Sequence, residues 1–204
     1  MQTISTHWRP ILIFGALMSL VAVHAQQTQE TKRGKHRTVS VYDKSSDLTT
    51  VRTPTMSVRE VTGKTEEMTP NGAKFNLPSE TLELIAHYSY AGRTPTIPDQ
   101  VVLSFLSLAE GEFKYSAKSQ VAVVADGSRI SLGTVVIADR RSDTHMPGGS
   151  KGFLRETLQV TLSAEDYKRL VSASKLRMML DKTEFTLTKD QLKLLRALFE
   201  EWQP

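Results

Sequence analysis

The chain has 204 residues, of which 39% are hydrophobic and 24% are charged, and its sequence contains no cysteine. This length suits one ordinary folded domain. Because each needs cysteine, the composition excludes a disulfide scaffold, a thiol nucleophile, thiolate-ligated zinc, an iron–sulfur cluster and a covalently attached lipoprotein anchor.

The first 25 residues have the pattern of a secretory signal peptide. A polar start ends at Arg9, an uncharged apolar run extends from Ile11 to Val23, and the small-residue site Val23-His24-Ala25 follows. The run has 13 residues, whereas a membrane-spanning helix needs about 20. We therefore expect cleavage after Ala25, no membrane span in the mature chain, and a secreted or periplasmic bacterial protein.

Positive charge is concentrated near the N-terminus. Residues 26–37 carry four basic groups and one acidic group, whereas residues 38–204 carry 21 of each. Nucleic-acid binding draws on a basic patch of a folded surface, so we expect no nucleic-acid partner. We interpret 26–37 as a basic polar linker and 38–204 as a single domain; contact of the linker with anionic lipid or a cell-surface polymer is the alternative.

Beyond residue 38, apolar side chains recur with a period of two, which is typical of half-buried strands. An Asp-Gly pair within Ala125–Ser128 suits a tight hairpin turn. The predicted strands are Thr38–Tyr42, Thr49–Thr53, Thr81–Tyr90, Val101–Phe105, Val121–Ala125, Ile130–Ile137, Arg155–Leu162, Leu176–Leu180 and Glu184–Leu187.

Two helices are predicted near the C-terminus. Ser163–Ser174 begins with a serine that is followed three residues later by an aspartate, and Thr188 with Gln191 forms a capping box for Lys189–Trp202. The apolar face of the second helix must pack against something, most simply the sheet; the alternative is a partner protein, which would make the chain a subunit of a larger assembly.

The order of these elements predicts the fold class. Parallel sheets need helices between their strands, and this sequence places its helices last. We therefore predict a mainly β fold, an antiparallel β-sandwich or jelly roll with two C-terminal α-helices; a β-barrel is the alternative.

Two short stretches match catalytic motifs without the context that the chemistry needs. Residues 148–152 fit G-x-S-x-G, but a nucleophile elbow lies between a buried strand and a helix, and here a polar stretch precedes the serine and a strand follows. Ser172-Ala173-Ser174-Lys175 fits S-x-x-K, but it ends a helix instead of opening one. We interpret the first as a flexible hairpin loop and the second as coincidence.

The most varied chemistry lies in Asp139–His145, which we predict to be a loop, and loops often carry function. Arg140 and Arg141 could pair with a carboxylate or phosphate, and Asp143 and His145 could exchange protons; these four are the candidate ligand-binding residues. A solvated loop is the alternative that we favour. With His87 the loop could offer two imidazoles and a carboxylate to a metal, but no recognised spacing supports this. We predict no catalytic residue, metal or cofactor.

Aromatic residues suggest a second kind of ligand. Phe113 and Tyr115, in the predicted loop or hairpin Glu110–Ser119, could stack on sugar rings. Tyr88 and Tyr90 share the leucine face of their strand and are expected to pack in the core or at the sheet edge.

Several of these residues carry a resemblance. Tyr42-Asp43-Lys44, Asp47–Val51, the Ala125-Asp126-Gly127 turn and the strand–helix ending from Leu162 to Leu198 resemble an uncharacterised family of secreted bacterial β-sandwich-type proteins. The resemblance implies a similar fold and location and transfers no activity or site residue.

The sequence therefore favours an exported, non-catalytic binding or structural module of the periplasm or cell surface, with a cell-envelope protein or polymer as partner. The alternatives are a hydrolase of envelope polymers that uses the Asp139–His145 segment, or a subunit of an envelope assembly.

Overall fold

The strands form two antiparallel sheets, and along each strand successive side chains point to opposite faces. The computed structural model describes residues 30–33, 38–67, 74–143 and 152–202. The elements in chain order are β1 (Glu30–Arg33), β2 (Val39–Asp43), β3 (Leu48–Arg52), β4 (Met56–Glu67), β5 (Lys74–Ala91), β6 (Gln100–Glu110), β7 (Gln120–Ala125), β8 (Ser128–Thr134), β9 (Val136–Asp143), β10 (Phe153–Ser163), α1 (Ala164–Ser172), β11 (Leu176–Leu180), β12 (Thr183–Thr186) and α2 (Lys189–Glu200).

The larger sheet, which we call sheet A, has eight strands in the order β1-β2-β3-β5-β6-β10-β9, with β4 also paired to β5. The smaller sheet B has the order β12-β11-β7-β8. All described pairings are antiparallel. The predicted mainly β, sandwich-like fold with two C-terminal helices is confirmed.

One face of sheet A forms the core, and we call it the inner face. Its central strands bury every second side chain there, including Leu84 on β5, Phe105 on β6 and Leu158 on β10. Sheet B closes this face, as the edge-to-face contact between Phe105 and Phe185, with ring centroids 6.4 Å apart, illustrates. The core is therefore the space between the two sheets, which the helices extend at one end.

Both helices begin where their capping residues predict. Ser163 Oγ accepts a hydrogen bond from the Asp166 N–H at 3.0 Å. At α2 the box is complete, because the Gln191 N–H donates to Thr188 Oγ1 at 3.2 Å while the Thr188 N–H donates to Gln191 Oε1 at 2.8 Å. The apolar face of α2 is buried in the core with α1. Neither described helix has the length and apolar composition to cross a membrane.

The strands differ from the sequence predictions at four points. The predicted strand Ile130–Ile137 is two strands, β8 and β9, which lie in different sheets on either side of buried Val135. Residues 139–143, predicted as loop, continue β9 and pair with β10. β4 was not predicted, and β1 lies within the predicted linker and pairs with β2.

The hairpin that joins β7 to β8 has the predicted tight turn. Asp126 and Gly127 have φ values of 47° and 89°, the left-handed pair that a type I′ turn requires. The Asp126 carboxylate also accepts hydrogen bonds from the N–H groups of Ser174 and Lys175 at 2.9 and 2.8 Å. Asp126 thus ties the hairpin to the connection between α1 and β11.

Those two backbone hydrogen bonds predict an acid-sensitive contribution to stability. They lower the pKa of Asp126 below its ordinary value of 3.8, so the stabilisation is present above that value and is lost as pH falls through the folded-state pKa. We expect Asp126→Asn, which tolerates the left-handed turn, to flatten the decline of Tm below about pH 4. Asp190→Asn, on the exposed start of α2, is the control; equal flattening in both variants would contradict the assignment.

Candidate functional site

A row of mainly polar side chains crosses the inner face of sheet A, away from the helices. The strand register places five residues opposite one another along this row: Arg59 on β4, Leu82 on β5, Ser107 on β6, Glu156 on β10 and Arg140 on β9. Six residues along β5, about 20 Å, separate Leu82 from Tyr88, which contacts Trp202 beside the helices. The sandwich interior therefore has an apolar end and a polar end.

Glu156 is the most buried charged group of the polar end, with 1% of its surface exposed. Its Oε1 accepts hydrogen bonds from the N–H groups of Lys114 and Tyr115 at 2.8 and 3.1 Å. Its Oε2 accepts from Arg140 Nε at 3.2 Å and from the terminal nitrogen Nη2 at 3.0 Å. Arg140 also donates to the Tyr115 carbonyl oxygen. The pair fastens the segment 111–119 to the sheet.

Glu80, one row further along β5, faces two cations. Arg59 Nε lies 3.2 Å from Glu80 Oε1, and Lys114 Nζ forms an ion pair with the same oxygen. The side chains of Arg59 and Lys114 are 39% and 29% exposed, whereas that of Glu80 is 17% exposed. With Arg140 and Glu156, the described cluster holds three cations and two carboxylates, and the two cations on Glu80 are partly exposed.

Tyr115 closes the cluster on the side of sheet B. Its hydroxyl donates to Thr183 Oγ1 at 3.0 Å, and burial raises the pKa of the phenol to about 12. The hydroxyl therefore stays protonated at neutral pH and links the segment 111–119 to β12.

One buried hydroxyl of the cluster lacks a partner among the described residues. Ser107 is 1% exposed, and its Oγ makes no hydrogen bond there. Ser107 pairs in register with Glu156 on one side and Leu82 on the other. Burying a hydroxyl without a hydrogen bond costs free energy. A polar group that reached Ser107 Oγ from the cluster would remove this cost.

The four candidate residues from the sequence have different places. Arg140 is on the inner face, bound to Glu156, whereas Arg141 pairs with Asp139 at 2.7 Å and both of these side chains are partly exposed. Asp143 ends β9, and its side chain lies outside the described residues. His145 and residues 144–151, which include most of the G-x-S-x-G match, also lie outside them. The prediction of a loop over Asp139–Asp143 is wrong, because these residues are an edge strand.

His87 is on the opposite, outer face of sheet A and does not approach Asp139. Its Nε2 lies 3.2 Å from Ser104 Oγ, and burial, with a smaller effect of Arg52, lowers its pKa. The register places His87 three strands and four residues from Asp139, about 20 Å away. Among the described side chains, no group of three or more histidine and acidic residues could hold a metal.

The aromatic candidates separate in the same way. Tyr115 is 4% exposed and cannot offer its ring to a sugar. Phe113 is 38% exposed, and the Arg140 guanidinium lies over its ring, with 4.6 Å between Cζ and the ring centroid. Tyr88 and Tyr90 are in the core as predicted. Ser172–Lys175 ends a helix as predicted, because Ser172 is the last residue of α1 and its Oγ donates to the Lys168 carbonyl oxygen.

Sequence reasoning missed Arg59, Glu80, Ser107, Lys114 and Glu156. A signal for Glu156 was present, because it has the same parity as Leu158, Val160 and Leu162, which predicts an inward-facing charge. A buried carboxylate needs a cation, so this parity also predicts a partner such as Arg140. Nothing in the sequence indicates that Glu80, Arg59 and Lys114 meet.

Comparisons with protein-family models, with curated proteins and with solved structures found no match. The resemblance to secreted bacterial sandwich-type proteins therefore stays a prediction.

Proposed function

We propose that this protein is an exported, non-catalytic binding module whose polar end takes an anionic group, a carboxylate or a phosphate, of a cell-envelope component. The observation that carries the proposal is the sharing of Glu80 between Arg59 and Lys114. Two partly exposed cations on one carboxylate leave a local excess of positive charge, which an anion from solution neutralises.

The shape of the cluster supports the same ligand. Arg140 and Glu156 fix the backbone of the segment that carries Lys114, and Glu80 holds the Lys114 ammonium group before a ligand arrives. Preorganised charge lowers the entropic cost of binding. Ser107, unpartnered among the described residues, adds a buried hydroxyl that can donate to an anionic oxygen.

The other two functions stay predictions from the sequence. The hydrolase requires the side chains of Asp143 and His145, which lie outside the described residues. The assembly subunit was inferred from an apolar face of α2, and the described part of the structure buries that face in the core.

The proposal is tested by titrating the protein with inorganic phosphate and with succinate at low ionic strength and measuring Tm and the heat of binding. A ligand that binds the native state raises Tm. We expect saturable binding that Arg59→Gln and Lys114→Gln each weaken at least about tenfold, which corresponds to the 1.4 kcal/mol or more of one charge-assisted hydrogen bond.

Lys118→Gln is the matched control, because Lys118 is an exposed lysine of the same segment. Phosphate also stabilises proteins by exclusion from their surfaces, and that effect is the same in all variants. Equal responses of the three variants, or no saturable heat with either anion, would overturn the proposal.

A further inference from the structure

The outer face of sheet A carries an apolar stripe. On β6 the outward positions are Val102, Ser104, Leu106 and Leu108, and Ile85 lies beside them on β5. These four hydrophobic side chains are half-buried and belong neither to the core nor to the hydrophobic side chains that pack against it. We call Ile85, Val102, Leu106 and Leu108 the outer stripe.

The sequence of β6 indicates that this stripe has a cover. A strand with one solvated face alternates apolar and polar residues, whereas a strand buried on both faces is apolar almost throughout. Residues 101–108 read Val-Val-Leu-Ser-Phe-Leu-Ser-Leu, which is the second pattern. Among the described elements, sheet B and both helices are on the inner face, where they cover the opposite side of β6.

Charges of opposite sign flank the stripe. On one side, Glu60 of β4 and Glu83 of β5 form an acidic flank; on the other, Arg155 of β10 and Arg141 of β9 form a basic flank. Both arginines also interact within the chain, Arg141 with Asp139. All four share the outer parity of their strands. A two-fold axis that runs along β6 places the stripe of one copy on the stripe of the other and each acidic flank on a basic flank.

We propose that the outer face of sheet A is the interface of a homodimer related by this two-fold axis. A second copy of the chain covers the outer stripe with its own outer stripe and places opposite charges together on both sides, as a self-complementary interface must. From β4 to β9 the face measures about 24 Å by 27 Å, roughly 650 Å² in projection, which is close to the 800 Å² or so that each partner buries in a standard interface. This surface is on the other side of sheet A from the proposed anion site.

Residues 26–204, the chain expected after cleavage at Ala25, are examined by sedimentation equilibrium over a range of concentrations. We expect a monomer–dimer equilibrium whose Kd rises at least about tenfold in Leu106→Glu, because a buried charge on the stripe meets no partner. Lys182→Glu, at the exposed turn between β11 and β12, is the control and leaves the Kd unchanged. A monomer at every concentration, or a dimer unaffected by Leu106→Glu, would overturn the proposal.

A charge exchange tests the orientation and does not depend on the folding of Leu106→Glu. Glu83→Arg and Arg155→Glu each place like charges together across the interface, and we expect each to weaken the dimer at least about tenfold. The double variant restores opposite charges and recovers most of the affinity. If the double variant dimerises no better than the singles, the two-fold arrangement is wrong.

Discussion

Replacing Glu156 with glutamine is expected to lower the free energy of unfolding by about 1.5–3 kcal/mol, the range for hydrogen bonds to a charged group, because Glu156 is buried whereas the Arg140 side chain is 34% exposed. Glu156 accepts two hydrogen bonds from Arg140 and two from backbone N–H groups of the segment 111–119. The glutamine amide cannot neutralise Arg140. Its NH2 group also faces either the two Arg140 donors or the two backbone N–H donors, where no hydrogen bond can form. The change is measured by urea unfolding, as a shift of the midpoint at constant slope.

Asp139→Asn is the matched control, because it removes the carboxylate of an ion pair to the neighbouring arginine, Arg141. That pair is 2.7 Å long, but its side chains are 39% and 49% exposed. Exposed pairs contribute at most about 1 kcal/mol, so we expect a small effect. Comparable losses in Glu156→Gln and Asp139→Asn would contradict the assignment of Glu156 as a buried anchor.

A double variant, Glu156→Leu with Arg140→Met, separates the ion pair from the backbone contacts. Replacing a buried ion pair by apolar residues of similar volume is often close to neutral, and here only the Glu156 side of the pair is fully buried. Here the N–H groups of Lys114 and Tyr115 would still lose their acceptor, at about 1–3 kcal/mol for each unsatisfied group. For the two groups together the loss is about 2–6 kcal/mol, so we expect the double variant to be no more stable than Glu156→Gln.

Local signals in the sequence predicted the ends of elements well. The caps at Ser163 and Thr188 act over three residues, and the Asp126-Gly127 turn over two, so the information lies within a short window. Burial parity likewise placed Tyr88 and Tyr90 in the core. These predictions succeeded because hydrogen bonds to nearby residues and the period of two determine them.

β9 shows where local reasoning fails. The second part of β9, residues 138–143, reads Ala-Asp-Arg-Arg-Ser-Asp, and this polar sequence favours a loop. Charged residues are nevertheless common on edge strands, where they discourage pairing with other chains. Its inward charge, Arg140, is compensated by Glu156, 16 residues away on β10. Such a partner is identified only when the register of the two strands is known.

The same limit applies to the candidate site. Arg59, Glu80 and Lys114 come from β4, β5 and the segment after β6, and β4 pairs with β5 through several bulges. A shift of one residue would turn Arg59 to the outer face. The sequence alone does not determine these bulges, so it predicts the sandwich but not the cluster inside its polar end.

At the opposite end of the core, Trp202→Ala is expected to lower the free energy of unfolding by about 3–5 kcal/mol, the usual cost of removing a large buried aromatic side chain. The indole is 7% exposed, and its ring centroid lies 5.3 Å from that of Tyr88, 5.6 Å from that of Tyr167 and 5.1 Å from that of Phe199. Its loss leaves a cavity between sheet A and both helices and removes three aromatic contacts.

This variant also distinguishes internal packing of α2 from docking on a partner. Lys193→Ala, on the exposed side of the same helix with 72% of its side chain exposed, is the control and should change stability by no more than about 0.5 kcal/mol. Urea unfolding of the two variants gives the comparison. If Trp202→Ala unfolds at the wild-type midpoint, the end of α2 does not support the core, and its apolar face is available to another protein.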